Sequence, residues 1–297
     1  MFEFNNGNEK KYKQKQKNIN MDGTTLPVRK FKLSSMARHP LICMVAKRAS
    51  GKSWVVRSIM RHHKDIPVGM VIAPTDKFSV FYGHFFPGLY IHYEYDGDFM
   101  QQVLRRQQEI MRKRNTKALE KKKVDPRAII VMDDCLADKN KWATDKFIKE
   151  IFLNGRHFRI TFILTSQFAV GLSPDQRTNI DYIFLLRQDQ TTELKKYHQH
   201  YAGMFDNFET FKKVFTDLTT DYTCMVIVNR NPGPDLLDKI FWYKADSTKI
   251  KKMGSKQFRK FNRDNYNVNW LDGTERINTK DILGIKNKNK IVIKKET

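Results

Sequence analysis

The chain has 297 residues, 55 Lys and Arg against 32 Asp and Glu, and a net charge of +23. That length is enough to bury a full core, and the charge points to a polyanion as the macromolecular partner, since each neutralised phosphate releases counterions. No stretch approaches the ~18 consecutive apolar residues of a membrane span, and three scattered cysteines without a Cys-x-x-Cys exclude a disulfide framework.

In chain order, residues 1–25 are rich in Lys, Asn and Gln around Lys10-Lys11-Tyr12-Lys13 and read as a disordered basic arm. The polar start carries no secretion signal. Residues 41–45 then form an apolar run that enters Ala46-Lys47-Arg48-Ala49-Ser50-Gly51-Lys52-Ser53, followed by a helix over 54–63 that Trp54 opens. The spacing is that of a phosphate-binding loop, with Ala46 where the first Gly usually stands. Gly51 lets successive backbone N–H groups turn inward around phosphate oxygens. Lys52 supplies a point charge to the β- and γ-phosphates, and the Ser53 hydroxyl is a ligand for Mg²⁺. The following helix aims its positive end at the same anion. Residues 46–54 are therefore the expected ATP-binding segment.

A second strand is predicted over 69–73. Residues 98–123 read as one long helix with an intermittent apolar face (Val103, Leu104, Ile110, Met111) and many cations, among them Arg105, Arg106, Arg112 and Lys113. Either a solvated charged face or a DNA-facing surface explains it. Residues 128–132 form another apolar run that ends in Asp133-Asp134. Too short for an amphipathic helix, it suits a strand buried on both faces. Paired acids at such a strand end are costly unless used. Asp133 is read as the acid of the Mg²⁺ shell and Asp134 as the base for an attacking water.

Further strands are predicted over 160–165, 182–186, 223–228 and 240–243. Alternation with helical stretches makes a mainly parallel sheet with helices on both faces, and ligands bind beyond the carboxyl ends of its strands. Gly51, Lys52, Ser53, Asp133 and Asp134 all fall there. An ATPase domain is expected over 26–248 and a basic tail over 249–297. For both tails, plain disorder and nucleic-acid contact remain equally open. Pairs such as His198-x-His200 and His62-His63 form no convincing metal set, and Cys135 is read as a packing residue.

Three further segments add detail: Phe81-Tyr82-Gly83-His84 through Pro87 to Ile91-His92-Tyr93-Glu94-Tyr95; Leu153-Asn154-Gly155-Arg156-His157-Phe158-Arg159-Ile160-Thr161 leading to Ile163-Leu164-Thr165-Ser166-Gln167; and Tyr201-Ala202-Gly203-Met204-Phe205, followed by Tyr222-Thr223-Cys224-Met225-Val226. With the two nucleotide motifs, residues 26–245 resemble the genome-packaging ATPases of the large nucleocytoplasmic DNA viruses, the poxvirus-type branch of the FtsK/HerA superfamily. The resemblance implies an α/β P-loop fold of the additional-strand (RecA/FtsK-like) type, with one strand between the P-loop strand and the Asp133 strand. It also implies a homo-oligomeric ring that moves double-stranded DNA into a capsid, with capsid or membrane-associated virion proteins as partners. The location it implies is the virion and its assembly site in the host cytoplasm. Gln167 would sense the γ-phosphate or place the water, and Arg156 would be an arginine finger for the neighbouring subunit's ATP, with Arg159 and Arg187 as second choices. Asp134 stands where many relatives carry Glu, one methylene longer. The alternative is a nucleotide-binding protein that tethers DNA without hydrolysis. A small nucleoside kinase is disfavoured by the basic charge and the distant carboxylate pair.

Overall fold

A computed structural model describes residues 15–21, 24–119, 124–135, 139–169, 171–230 and 232–267. Eight strands form its central sheet: β3 (Leu41–Val45), β4 (Val68–Ile72), β5 (Ile91–His92), β6 (Ala128–Met132), β7 (Ile160–Ser166), β8 (Tyr182–Leu185), β9 (Thr223–Val228) and β10 (Ile240–Lys244). Their order is β10-β9-β8-β3-β7-β6-β4-β5. From β8 to β5 every pairing is parallel, while β9 and β10 add two antiparallel pairings at one edge. One strand, β7, separates the P-loop strand β3 from the Asp133 strand β6, as the additional-strand fold requires.

The central strands are apolar on both faces because both faces are covered. All residues of β3, β6 and β7 are buried. Alternation along β3 divides them: Ile42 and Met44 join one core, Cys43 and Val45 the other. The Ile42 side packs against Val55, Val56, Ile59 and Met60 of α1 (Lys52–His62). The Cys43 side receives Met100 and Leu104 of α3 (Gly97–Leu119) and Ile148, Ile151 and Phe152 of α5 (Lys146–Asn154). It also receives Tyr197 of α7 (Thr191–Tyr201) and Phe211 and Phe215 of α8 (Phe208–Leu218). Short helices α2 (Asp76–Ser79), α4 (Lys139–Trp142), α6 (Pro174–Thr178) and α9 (Leu236–Lys239) lie in the connections.

On α3 the buried stripe is Met100, Leu104 and Gln107, an i, i+4, i+7 face. Gln107 donates to the carbonyls of Pro126 (2.8 Å) and Phe158 (2.7 Å), tying α3 to the entrances of β6 and β7. Arg105, Arg112 and Lys113 face solvent.

Both tail boundaries need correction. Within the expected arm, β1 (Gln16–Met21) pairs antiparallel with β2 (Thr24–Arg29), burying Ile19 and Val28. The Lys17 ammonium donates to the Leu218 carbonyl and the Thr223 hydroxyl, each at 3.3 Å. Arg29 pairs with Asp238 at 2.8 Å, and Phe31 N–H donates to the Trp242 carbonyl at 2.8 Å, so the chain continues along the edge strand β10. Within the expected tail, α10 (Lys256–Asn265) is capped by Ser255 and buries Phe258. The Phe258 ring stacks on Tyr90 with centroids 4.2 Å apart. Ile250 and Met253 are also buried. Residues 1–14 and 268–297, the remainder of both expected tails, lie outside the described residues. No helix among the described residues is long and apolar enough to cross a membrane.

Candidate active site

Backbone geometry shapes the P-loop first. Ala49 (φ 59°) and Gly51 (φ 92°) both take left-handed conformations, and Gly51 sits directly before α1. For Gly51 the conformation costs nothing, whereas any side chain would be strained there. The buried Ser50 donates its hydroxyl to the Lys47 carbonyl at 2.6 Å, bracing the turn from inside. Lys47 is held by Asp189, which also pairs with Arg187 at 2.7 Å. Arg187 further reaches the Thr216 carbonyl at 3.3 Å, so this second-choice finger is committed within its own chain.

Lys52, Asp133, Asp134 and Gln167 converge at the carboxyl ends of β3, β6 and β7. The Lys52 ammonium lies 3.1 Å from Asp133 Oδ1 and 3.7 Å from Asp134 Oδ2, with all three side chains largely shielded from water. Asp133 accepts from three groups in all: the Lys52 ammonium, the Thr165 hydroxyl, and the Tyr82 hydroxyl at 2.8 Å. Buried anions need such compensation. Burial, with the Asp133 carboxylate beside it, pushes the Tyr82 phenol well above its ordinary range, so it stays a neutral donor. The Asp133 site thus includes two residues that the sequence reading did not assign. Tyr82 lies in the aromatic segment that reading singled out, and Thr165 lies two residues before Gln167.

Asp134 itself has φ 59°. Asp tolerates this region better than most residues. Its N–H donates to the Thr165 hydroxyl at 3.2 Å, and the Gln167 amide donates to Asp134 Oδ2 at 2.5 Å. The shorter carboxylate is therefore aimed by backbone conformation and by Gln167. Ser53 makes no side-chain hydrogen bond among the described residues, and with the Asp133 carboxylate it offers the hard oxygen donors that Mg²⁺ prefers. A cleft of about 850 Å³ opens over these groups, lined also by Ala46, Arg48, Trp54 and Tyr222.

Arg156 is elsewhere. It is exposed in the turn after α5, at the amino end of β7, a strand length from Gln167. It shares a second concavity of about 600 Å³ with Arg38, Arg159, Arg230 and His157. Among the described residues Arg38, Arg156 and Arg159 have no side-chain hydrogen bond or ion pair, and Arg230 approaches only Asp181, at 3.7 Å.

Protein L437 of Acanthamoeba polyphaga mimivirus is 46% identical over 237 residues, spanning 80% of this chain and 83% of L437. Protein 075L of Invertebrate iridescent virus 6 is 33% identical over 230 residues, 76% of this chain and 86% of 075L. The chain belongs to the packaging-ATPase family of the large nucleocytoplasmic DNA viruses. No protein-family model matches the sequence. Among solved structures, the DNA-packaging ATPase B204 of Sulfolobus turreted icosahedral virus superposes with a TM-score of 0.50 at 16% identity, over 71% of this chain and all of B204. The pCW3 conjugation coupling protein TcpA, with ATPγS, gives 0.50 at 14% identity, over 79% of this chain and 66% of TcpA. At these identities the likeness is one of fold. The viral family and the FtsK-like P-loop fold therefore agree with the strand order and with the placement of Lys52, Asp133, Asp134 and Gln167.

Proposed function

We propose that this chain is an ATP-hydrolysing motor that moves double-stranded DNA into a viral capsid as a ring of identical subunits. The observation that carries the reading is the convergence of Lys52, Asp133, Asp134 and Gln167 beneath one cleft at the P-loop. Such a set can position a triphosphate, neutralise its charge and accept a proton from water.

In this reading the P-loop backbone and Lys52 bind the phosphates. Ser53 and Asp133 would hold Mg²⁺, which supplies charge neutralisation when bound. Tyr82 and Thr165 hold the Asp133 carboxylate in place by donating to it. Asp134 accepts the proton of the attacking water, and Gln167 orients that carboxylate and the water. Arg156 serves a neighbouring subunit. β7 spans seven residues, roughly 20 Å at strand rise, so the guanidinium at its amino end lies far from its own P-loop. An unpartnered arginine there supports a role in trans, where a planar cation stabilises transition-state charge.

The net charge and the solvent-facing cations of α3 support a duplex DNA partner contacted through phosphates. The name of B204 and the viral origin of the relatives support packaging, work at the virion assembly site, and capsid or membrane-associated virion proteins as partners.

Phosphate release with and without duplex DNA tests the reading. The wild type should hydrolyse ATP faster with DNA. Asp134→Asn should bind ATP nearly normally and lose about 10²- to 10⁴-fold in turnover, because an amide cannot accept the proton. Wild-type turnover in that variant would remove Asp134 from the mechanism, and a wild type without hydrolysis would favour a DNA tether.

A further inference from the structure

We propose that Tyr222 is the residue on which the nucleobase stacks, completing the cleft on the side away from the carboxylates; this rests on the nucleotide reading of that cleft. β9 runs antiparallel to β8, so its first residues lie at the carboxyl ends of the parallel strands. Thr223 pairs with Lys244, the last residue of β10. The turn before β9 and the exit of β10 (Lys244, Ala245, Asp246, Ser247) therefore both border the P-loop cleft.

Tyr222 stands at that turn in an arrangement that packing does not explain. A Cβ built on Gly51 would lie 3.4 Å from Tyr222 Cδ1, so the ring reaches over the P-loop glycine with nothing between. The side chain is nevertheless 68% exposed, and little apolar area is buried in return. Asp221 and Tyr222 both have φ 54°. For a bulky residue the left-handed region is strained. Local contacts hold the turn in place: Asp221 pairs with Lys244, and Thr223 N–H donates to the Thr220 carbonyl at 3.0 Å. The chain thus uses a strained turn to present an aromatic face to the cleft. Strain of this kind collects at ligand sites.

The chemistry fits a nucleobase. Phosphates bound at Gly51, Lys52 and Ser53 leave the nucleoside to run along the cleft, and Tyr222 is the aromatic ring nearest the loop glycine. Trp54, half-exposed, lines the same cleft. Its ring carries the Arg57 guanidinium at 4.0 Å from the centroid, which fixes the indole while leaving a face available. The Tyr222 hydroxyl has no hydrogen-bond partner among the described residues, so the proposal uses only the ring, and phenylalanine should serve equally.

Calorimetry with a non-hydrolysable ATP analogue and with inorganic triphosphate tests this. Tyr222→Ala should weaken the ATP analogue by about 5- to 150-fold, the range for loss of one base–aromatic stack, and leave triphosphate affinity unchanged. Tyr222→Phe should match the wild type for both ligands. Equal weakening of both ligands in Tyr222→Ala would show that the ring only shapes the P-loop and would overturn the proposal, as would unchanged binding of the analogue. Lys52→Ala separates this from the reading beneath it. Loss of both ligands in Lys52→Ala supports the cleft as the nucleotide site, whereas full retention of both overturns that reading and the Tyr222 proposal with it.

Discussion

At the carboxyl end of β3, β6 and β7, Lys52 lies against Asp133 and Asp134, Lys47 and Arg187 share Asp189, and Gln167 donates to Asp134. At the amino end of the same strands, Arg38, Arg156, Arg159 and Arg230 line one concavity, where among the described residues only Asp181, 3.7 Å from Arg230, supplies a nearby counter-charge. The first end is internally compensated: each charge that would be costly to bury has its counter-charge in the chain. The second end keeps like charges together, which is unfavourable unless an anion is brought to them. The contrast is what the proposed motor calls for: a P-loop end that acts on a ligand and an opposite end that meets negative charge from another molecule.

The largest expected break in this comparison is Arg156→Ala. If that guanidinium completes a neighbour's site, the variant should bind ATP normally yet lose about 10³- to 10⁵-fold in turnover, read as phosphate release at saturating ATP. A loss of ATP affinity instead would tie Arg156 to its own cleft.

A smaller effect sharpens the comparison by asking where DNA binds. Affinity for duplex DNA should fall linearly on log–log axes with salt, by about 0.9 per phosphate contact. Removing residues 1–14 and 268–297, which leaves the β1–β2 hairpin and α10 intact, should flatten that slope if the termini touch phosphates. An unchanged slope assigns contact to the folded surface, for which the exposed Arg105, Arg112 and Lys113 of α3 are the first candidates.

A last effect is on stability against pH. His39 and His63 lie at the cationic end, and His92 lies under α3. Burial first, with neighbouring Arg159 and Arg127 at His39, lowers the imidazole pKa to about 4 in all three. Unfolded imidazoles protonate near 6.5, so between pH 6.5 and 4 the unfolded state binds more protons. The contribution of these imidazoles to stability should therefore fall as pH falls through that window and level off below it. Thermal melting from pH 7.5 to 4 measures the slope; a flat profile would mean these rings are solvated.

The parts legible in the sequence are those where one residue type serves one local purpose. β3, β6 and β7 are apolar throughout because both faces are covered, and the P-loop spacing reflects a fixed backbone path. The strand between β3 and β6 followed from the resemblance and holds in the structure. What was hidden depends on partners distant in sequence. β1 is mostly polar, burying Ile19 and tied down by Lys17 to Leu218 and Thr223, and α10 is a charged helix docked largely through Phe258 against Tyr90. Composition averages such single anchors away, which is why residues 16–25 and 249–267 read as tails. Tyr82 and Tyr222 stand in segments that carry the resemblance, but their roles were hidden for the same reason. An aromatic side chain shows neither that it donates to a buried carboxylate 51 residues away nor that its turn is strained toward a cleft. Gln167 and Asp134 were legible as a pair of candidates, but the bond that aims one at the other required the structure.

The central claim, that the two ends of the sheet act on each other between subunits, is tested most directly by mixing two inactive variants. Arg156→Ala subunits keep an intact P-loop end, and Asp134→Asn subunits keep an intact cationic end. Combined under conditions in which labelled subunits demonstrably exchange, they should recover part of the wild-type phosphate release at mixed interfaces, with a maximum near equal proportions. Exchange without any recovery would contradict the account and leave Arg156 acting within its own chain or serving only the fold.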